Sequence, residues 1–142
     1  MTRWKVLFVC VGNSCRSQMA EAIARHGAAD VIDPSSAGIS PLGHIADSTR
    51  LVLLERGISV EGQRSKGLYD SSLLQPDLFI NMTGLPGASL FTTETYEDWE
   101  VKDPFGDTVE TYRRICDDIA ARVLHLAARL RKQRSAATPE NA

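Results

Sequence analysis

One segment near the start of the chain decides its fold: Val6-Leu7-Phe8-Val9-Cys10-Val11-Gly12-Asn13-Ser14-Cys15-Arg16-Ser17. Its apolar beginning predicts a β-strand over 4–9 that is buried on both faces, as in parallel sheets. An amphipathic pattern over 17–29 predicts a helix directly afterwards. A buried strand that leads into a helix through a short polar loop indicates an α/β fold.

The loop between this strand and this helix has the composition of an anion-binding nest. Gly12 and Asn13 adopt unusual backbone angles more readily than other residues, so the loop amides can turn inward. An oxyanion of phosphate size would then meet several N–H groups and the positive end of the helix. We expect it to be bound by Val11, Gly12, Asn13, Ser14, Cys15, Arg16 and Ser17.

Cys10 and Arg16 are the candidate catalytic residues of this loop. Only a thiolate attacks phosphorus, and electropositive surroundings favour the thiolate. A helix terminus contributes at most about 2 kcal/mol, so the loop amides, Arg16 and the Ser17 hydroxyl must supply the rest. The planar fork of Arg16 suits two phosphate oxygens. The alternative, a structural cysteine beside an arginine that merely begins a helix, is disfavoured because strand, loop and helix are all in place.

Three motifs resemble those of the low-molecular-weight protein tyrosine phosphatase family, whose relatives include bacterial arginine phosphatases and thioredoxin-coupled arsenate reductases. Residues 9–22 (VCVGNSCRSQMAEA) resemble its active-site segment, and Ser36-Ala37-Gly38 resembles the motif after its second strand. Asp103-Pro104-Phe105-Gly106 resembles its late acid loop, so the resemblance spans residues 4 to about 132. It implies that Cys10 is the nucleophile, that Arg16 binds phosphate, that Ser17 stabilises the thiolate and that Asp103 protonates the leaving group.

Without the resemblance, the Asp-Pro pair at 103–104 is more typical of a turn than of a catalytic acid. A phosphate loop upstream changes this interpretation, because a departing phenol or guanidine needs a positioned acid. Asp103 is then the best candidate, and the nearby carboxylates Glu97, Asp98 and Glu100 remain alternatives.

The rest of the chain alternates strands and helices. Strands are predicted over 31–36 and 77–82, with a short fourth strand within 90–101, and helices over 47–56 and 65–74. A last helix begins near Asp107, which has capping-box spacing to Glu110. Together these elements predict a single-domain α/β three-layer sandwich, with a four-stranded parallel sheet flanked by helices, and the resemblance makes it flavodoxin-like. We expect the phosphatase domain over 1–134 and a flexible tail over 135–142.

Composition narrows the function classes. A chain of 142 residues forms one domain, and its net charge of −2 provides no footprint for nucleic acid or for an anionic membrane. The short apolar run after Lys5 lacks a cleavage site, and a thiolate nucleophile favours a reducing compartment, so we expect a cytoplasmic protein. His26, His44 and His125 lack metal-ligand spacing, so neither a metal nor another cofactor is expected.

Two further cysteines receive different interpretations. The loop brings Cys15 close to Cys10, and the resemblance includes this second cysteine, which we expect to protect Cys10 by forming a reversible disulfide. Cys116 lies on the apolar stripe of the last helix and is expected to be an inert core residue.

Departures from the family's pattern bear on the substrate. Ser14 stands where tyrosine-specific relatives usually carry a branched aliphatic residue and where arginine phosphatases carry threonine, another small hydroxyl residue. Phe105-Gly106 replaces the tyrosine-rich pair that follows Asp-Pro in many tyrosine phosphatases. Both features favour phosphoarginine. The sequence of residues 13–21 is typical of arsenate reductases, and Gln63 stands where many phosphatases have a supporting histidine. Those reductases, however, need two more cysteines near the third strand, where this chain has Asn81-Met82-Thr83-Gly84, and segment 83–102 is shorter than in the phosphatases.

The sequence therefore predicts a hydrolase that acts on phosphotyrosine or phosphoarginine in proteins through a phosphocysteine intermediate and releases inorganic phosphate. An arsenate reductase that uses an external thiol reductant is the alternative. A phosphate-binding module without turnover is the weakest hypothesis, because a binder has no use for a thiolate or for Asp103.

Overall fold

The computed structural model describes residues 3–93 and 95–137. Four strands form one parallel sheet: β1 (Trp4–Cys10), β2 (Ile32–Gly38), β3 (Leu78–Asn81) and β4 (Tyr96–Asp98). Their order is β2-β1-β3-β4, and all three neighbouring pairs are parallel. The predicted α/β fold and its parallel sheet are confirmed, including the short fourth strand.

Three α-helices accompany the sheet: α1 (Arg16–Gly27), α2 (Asp47–Glu55) and α3 (Val109–Ala137). A 3-10 turn lies at Gly87–Ser89. The main core forms where α1, α2 and α3 pack with the sheet, around fully buried side chains such as Phe8, Met19 and Leu126. None of the helices in the described part of the chain has the length and apolar character needed to cross a membrane.

The other face of the sheet is covered by loops. Leu7, Val9 and Ala37 are buried there beneath partly buried side chains that include Leu68 and Phe91. The helix predicted over 65–74 is wrong, because this segment forms turns and one bridge between Gly67 and Gly38. The Asp70 carboxylate accepts from both the backbone N–H and the hydroxyl of Ser72, and such local bonds compete with helix formation.

The start of α3 differs from the predicted capping box. Thr108, rather than Asp107, precedes the first helical residue, and its Oγ1 accepts a hydrogen bond of 3.3 Å from the backbone N–H of Thr111. Asp107 instead accepts from the backbone N–H of Thr108 at 2.8 Å. The helix includes residues 135–137 of the predicted tail, while residues 138–142 lie outside the described residues, so the division into domain and tail stays a prediction.

The sheet brings the predicted site residues together at one edge. Cys10, the last residue of β1, pairs with Gly38, the last residue of β2, and β3 ends nearby at Asn81. β1 lies between β2 and β3, which is the switch point of a doubly wound order, where ligands bind beyond the carboxyl ends of the strands. The loop over 11–15 lies at this point and leads into α1.

Candidate active site

The backbone of the loop over 10–16 is turned so that its carbonyl groups face outward. Each carbonyl oxygen from Cys10 to Cys15 accepts a hydrogen bond from outside the loop or from α1. In the order of the carbonyls, the donors are Ile39 N, Ser40 N, Leu42 N, Gln18 Nε2, Ala46 N with Thr49 Oγ1, and Met19 N. Because a trans peptide directs its N–H opposite to its C=O, the amides from Val11 to Arg16 turn toward the inside, as an anion nest requires.

Three residues account for this backbone path. Asn13 has a φ of 48°, in the left-handed region that asparagine tolerates better than most residues. Gly12 is not in that region; a Cβ there would lie 3.0 Å from the Leu42 side chain, so close packing explains this glycine. A larger residue does not fit at Gly38 either, because a Cβ there would lie 2.6 Å from the carbonyl oxygen of Val11.

The sulfur of Cys10 is the first member of a buried hydrogen-bonded chain. Its Sγ lies 2.8 Å from the Ser17 Oγ, to which Asn13 Nδ2 donates at 2.7 Å. The same Nδ2 donates to Ser36 Oγ at 3.0 Å, and Ser36 Oγ donates to Glu21 Oε1 at 2.6 Å. We call these five residues the thiolate network.

The direction of donation along the thiolate network follows from its neighbours. The backbone N–H of Lys66 donates to Asn13 Oδ1 at 2.8 Å, which fixes the orientation of that amide. At the far end, the Glu21 carboxylate pairs with Arg25 at 2.6 Å and acts as an acceptor. Ser17 Oγ accepts from Asn13, and a deprotonated Cys10 has no hydrogen to give, so the Ser17 hydroxyl donates to the sulfur of a thiolate and stabilises it.

Arg16 is buried, with 4% of its surface exposed, and its two edges have different surroundings. Nη1 donates to the carbonyl oxygens of Met82 and Val101, the latter at 3.1 Å. Nε is buried and has no hydrogen-bond partner among the described residues. Nη2 faces the Asp103 carboxylate at 3.6 Å and makes no hydrogen bond among the described residues. The edge formed by Nε and Nη2 is therefore available to an anion, and a guanidinium edge matches two phosphate oxygens.

Asp103 lies across the pocket from the loop. Its Oδ2 is 3.6 Å from Arg16 Nη2, half of its side chain is exposed, and its Oδ1 accepts from the backbone N–H of Phe105 at 3.0 Å. Of the three rival carboxylates, Glu97 pairs with Arg129 and Asp98 accepts from Asn81. Glu100 does not line the pocket that contains Cys10. Among the candidate acids, Asp103 has the position that a proton donor needs.

The pocket over the loop has a volume of about 210 Å³ and is lined by Cys10, Val11, Gly12, Ser14, Cys15, Arg16, Ser40, Leu42, Asp103 and Phe105. Leu42 and Phe105 are half-exposed and form apolar parts of its wall. Ser14 Oγ is buried and has no hydrogen-bond partner among the described residues. A buried hydroxyl without a partner is costly, which favours a ligand that bonds to it.

The remaining two cysteines are both buried. Cys15 Sγ lies 3.4 Å from the Tyr112 hydroxyl, and burial raises the pKa of the Cys15 thiol. Burial also raises the pKa of Tyr112 above its ordinary value. Cys116 packs in the core, and burial raises its pKa to about 11, so this thiol stays protonated at neutral pH.

Several contributors to the site were not predicted from the sequence. Asn13 was predicted to bind phosphate, but the hydrogen bonds of its side chain were not, and neither were the roles of Ser36 and Glu21 in the thiolate network or of Leu42 in the pocket wall. Glu21 could have been noticed in the sequence, because it is the one charged residue in the run over 18–24. Leu42 carried none, since an isolated leucine in a loop is ordinary.

Known proteins with the same architecture differ in activity. A glutaredoxin arsenate reductase of Synechocystis sp. is 34% identical over 130 residues, which cover 89% of this chain and 98% of the relative. The structure of the YwlE arginine phosphatase from Geobacillus stearothermophilus superposes with a TM-score of 0.81 at 25% identity, covering 96% of this chain and 99% of that one. A low-molecular-weight protein tyrosine phosphatase from T. tengcongensis superposes with a TM-score of 0.78 at 28% identity, covering 89% and 99%.

The family assignment rests on a match over nearly the whole chain. The family model described as low molecular weight phosphotyrosine protein phosphatase matches residues 5–136, which include the loop, the thiolate network and Asp103. Enzymes of this family use a cysteine, either as phosphatases or as arsenate reductases. The chain belongs to the low-molecular-weight phosphotyrosine protein phosphatase family.

Proposed function

We propose that this protein is a cysteine-dependent phosphatase that hydrolyses phosphorylated side chains of proteins. Cys10 attacks phosphorus, a sulfur–phosphorus bond forms, and the leaving group departs with a proton from Asp103. Water then attacks the phosphocysteine, gives its proton to Asp103, and the sulfur–phosphorus bond breaks to release phosphate. The inward amides and the free edge of Arg16 bind the transferring oxygens throughout.

The observation that carries this proposal is the position of Asp103, 3.6 Å from Arg16 Nη2 at the pocket that Cys10 lines. Both steps of hydrolysis need a proton to move at this place, first to the leaving group and then from water. Asp103 leaves the first step as a carboxylate, which is the form that accepts the proton of water in the second step.

The supply of thiols distinguishes hydrolysis from arsenate reduction. Reduction requires a second thiol to attack the sulfur of a Cys10–arsenate adduct, so that a disulfide forms and arsenite leaves. The chain has only three cysteines, and the end of β3 carries Asn81-Met82-Thr83 without a thiol. Cys116 is enclosed in the core, and burial raises the pKa of the Cys15 thiol, which disfavours its thiolate form.

Arsenate reductase activity remains the second candidate, and one finding favours it. The Synechocystis relative that is 34% identical is a glutaredoxin arsenate reductase. In this chain the attacking thiol would come from an external reductant, which meets Cys10 through the open mouth of the pocket. Both candidate reactions rely on reduced Cys10, which supports a cytoplasmic location.

Within the phosphatase proposal, Ser14 favours phosphoarginine over phosphotyrosine. Its buried Oγ has no partner among the described residues and lines the pocket, so it can accept a hydrogen bond from a guanidinium group.

A turnover panel tests the proposal. Phosphate release is measured from a phosphoarginine protein and from a phosphotyrosine peptide, and arsenite formation is measured from arsenate with glutaredoxin and glutathione. We expect phosphate release, faster from phosphoarginine, and its loss in Cys10→Ser, because this site supplies no base to activate a serine. Efficient arsenite formation without phosphate release would overturn the proposal in favour of the reductase.

A further inference from the structure

The turn that follows β3 is fastened by side chains. Asn81, 2% exposed, uses both ends of its amide: Nδ2 donates to Asp98 Oδ1 at 2.8 Å and to the carbonyl oxygen of Leu85 at 2.6 Å. Its Oδ1 accepts from the backbone N–H of Thr83 at 3.1 Å and from the Thr83 hydroxyl at 2.7 Å. These bonds fix the path of the chain directly after Asn81.

Asp98 closes the same turn from the side of β4. Its Oδ1 accepts the backbone N–H of Gly87 at 3.1 Å in addition to Asn81 Nδ2. Gly87 is packed so closely against Tyr96 that an added Cβ would lie 2.4 Å from the ring. One carboxylate therefore ties the turn over 83–87 to β4.

Each of these two strands is followed by a residue whose backbone carbonyl accepts a hydrogen bond from Arg16. Met82, whose carbonyl accepts from Arg16 Nη1, directly follows Asn81. Val101, whose carbonyl accepts from the same nitrogen at 3.1 Å, follows Asp98 by three residues. We propose that Asn81 and Asp98 are positioning residues for phosphate binding, which hold these two carbonyls at the separation that orients Arg16.

The inference rests on the proposed function in one respect, namely that the free edge of Arg16 binds the phosphoryl oxygens. A single nitrogen, Nη1, bonds to carbonyls from two different strand ends, so a shift of either end rotates the guanidinium. Misplacement of a binding group by about 1 Å costs up to roughly 100-fold in an enzyme site. We expect a loss of about tenfold, because the β-ladder still restrains each strand.

Two variants on β4 test positioning against simple electrostatics. Asp98→Ala and Glu97→Ala each remove one carboxylate from the same strand. Glu97 accepts from Arg129 and from Trp99 Nε1, and among the described residues it makes no hydrogen bond to the turn over 83–87. Loss of a negative charge alone would strengthen anion binding in both variants. If Asp98 instead positions Arg16, phosphate binding weakens in Asp98→Ala and not in Glu97→Ala. Asn81→Ala adds a test without a change of charge.

The readout is the affinity of the free protein for inorganic phosphate, measured by titration calorimetry, together with the rate of alkylation of Cys10 by neutral iodoacetamide. We expect phosphate binding to weaken about tenfold in Asp98→Ala and Asn81→Ala, and to be unchanged or tighter in Glu97→Ala. Alkylation should change by less than phosphate binding does, because the Ser17 hydroxyl and the loop amides still stabilise the thiolate when Arg16 is misplaced.

Three results would overturn the inference. The first is phosphate binding by Asp98→Ala that is as tight as in the parent protein. This variant remains a test even if Asn81→Ala fails to fold, because Asp98 lies at the exposed end of β4. The second is a weakening of phosphate binding in Glu97→Ala equal to that in Asp98→Ala. A parent protein that binds no phosphate would overturn both this inference and the proposed function, which distinguishes that failure from the first two.

Discussion

Replacement of Ser17 by alanine tests the thiolate network directly. Ser17 Oγ accepts from Asn13 Nδ2 at 2.7 Å and lies 2.8 Å from Cys10 Sγ, so its hydroxyl donates to the sulfur once Cys10 is a thiolate. A hydrogen bond to a charged group contributes about 1.5–3 kcal/mol. At about 1.4 kcal/mol for each factor of ten, Ser17→Ala should slow reactions of the thiolate by roughly 10- to 100-fold.

The same substitution leaves a buried donor of Asn13 without one of its two acceptors. An unpaired buried polar group costs about 1–3 kcal/mol, so the free energy of unfolding should fall by that amount as well. The two effects are separable, because alkylation and turnover are measured on the folded protein and unfolding is measured in urea. Both are expected in Ser17→Ala.

The assay compares Ser17→Ala with Ser40→Ala at pH 7. Ser40 lines the same pocket, and its backbone N–H donates to the Val11 carbonyl, a contact that alanine keeps. Iodoacetamide alkylation of Cys10 and turnover of an aryl phosphate should slow in Ser17→Ala and remain near the parent rates in Ser40→Ala. Alkylation of Ser17→Ala at the parent rate would refute the direction of donation inferred for the network.

Three further predictions concern groups beyond the network. Asp103→Asn should slow hydrolysis of phosphoarginine by roughly 10²- to 10⁴-fold and of an activated aryl phosphate by less, since a guanidine needs a proton more than a phenolate does; equal losses would argue that another group is the acid. Cys116→Ser should lower the free energy of unfolding by about 1–3 kcal/mol with unchanged turnover, and a loss of rate at unchanged stability would contradict its core role. Mild peroxide should inactivate the enzyme reversibly through a Cys10–Cys15 disulfide, seen by peptide mapping, and Cys15→Ala should lose activity irreversibly; full recovery of that variant would remove the protective role.

Local sequence was sufficient where the determinants of structure are local. β1, α1 and the loop between them follow from an apolar run, a helical period and residues that tolerate unusual angles, and they lie within residues 4–27. The helix predicted over 65–74 failed because its backbone is used by distant partners: Lys66 N donates to Asn13, and Gly67 bridges to Gly38. Periodicity contains no information about such pairings.

The candidate site shows the same limit. The motifs named Cys10 and Arg16, but the contacts that orient Arg16 join residues separated by 66 and 85 positions, at Met82 and Val101. The partner of Asn13 in the thiolate network, Ser36, is 23 positions away. Their roles depend on strand order and register, which bring the ends of β1, β2 and β3 to one edge.

The chemistry of the site is divided between these strand ends in a way that bears on the family's range of activities. The loop after β1 supplies what hydrolysis and arsenate reduction share, a thiolate and an oxyanion nest. In the proposed mechanism, the ends of β3 and β4 supply what separates the two reactions. These are the residues at 81–83, where the resembling arsenate reductases carry further cysteines, and the segment leading to Asp103, the proposed proton donor. Because these ends also carry the carbonyls that orient Arg16, a change there alters the second step and the grip on the oxyanion together. The balance between hydrolysis and arsenate reduction in this chain should therefore respond more to substitutions at 81–103 than to substitutions in the loop over 11–15.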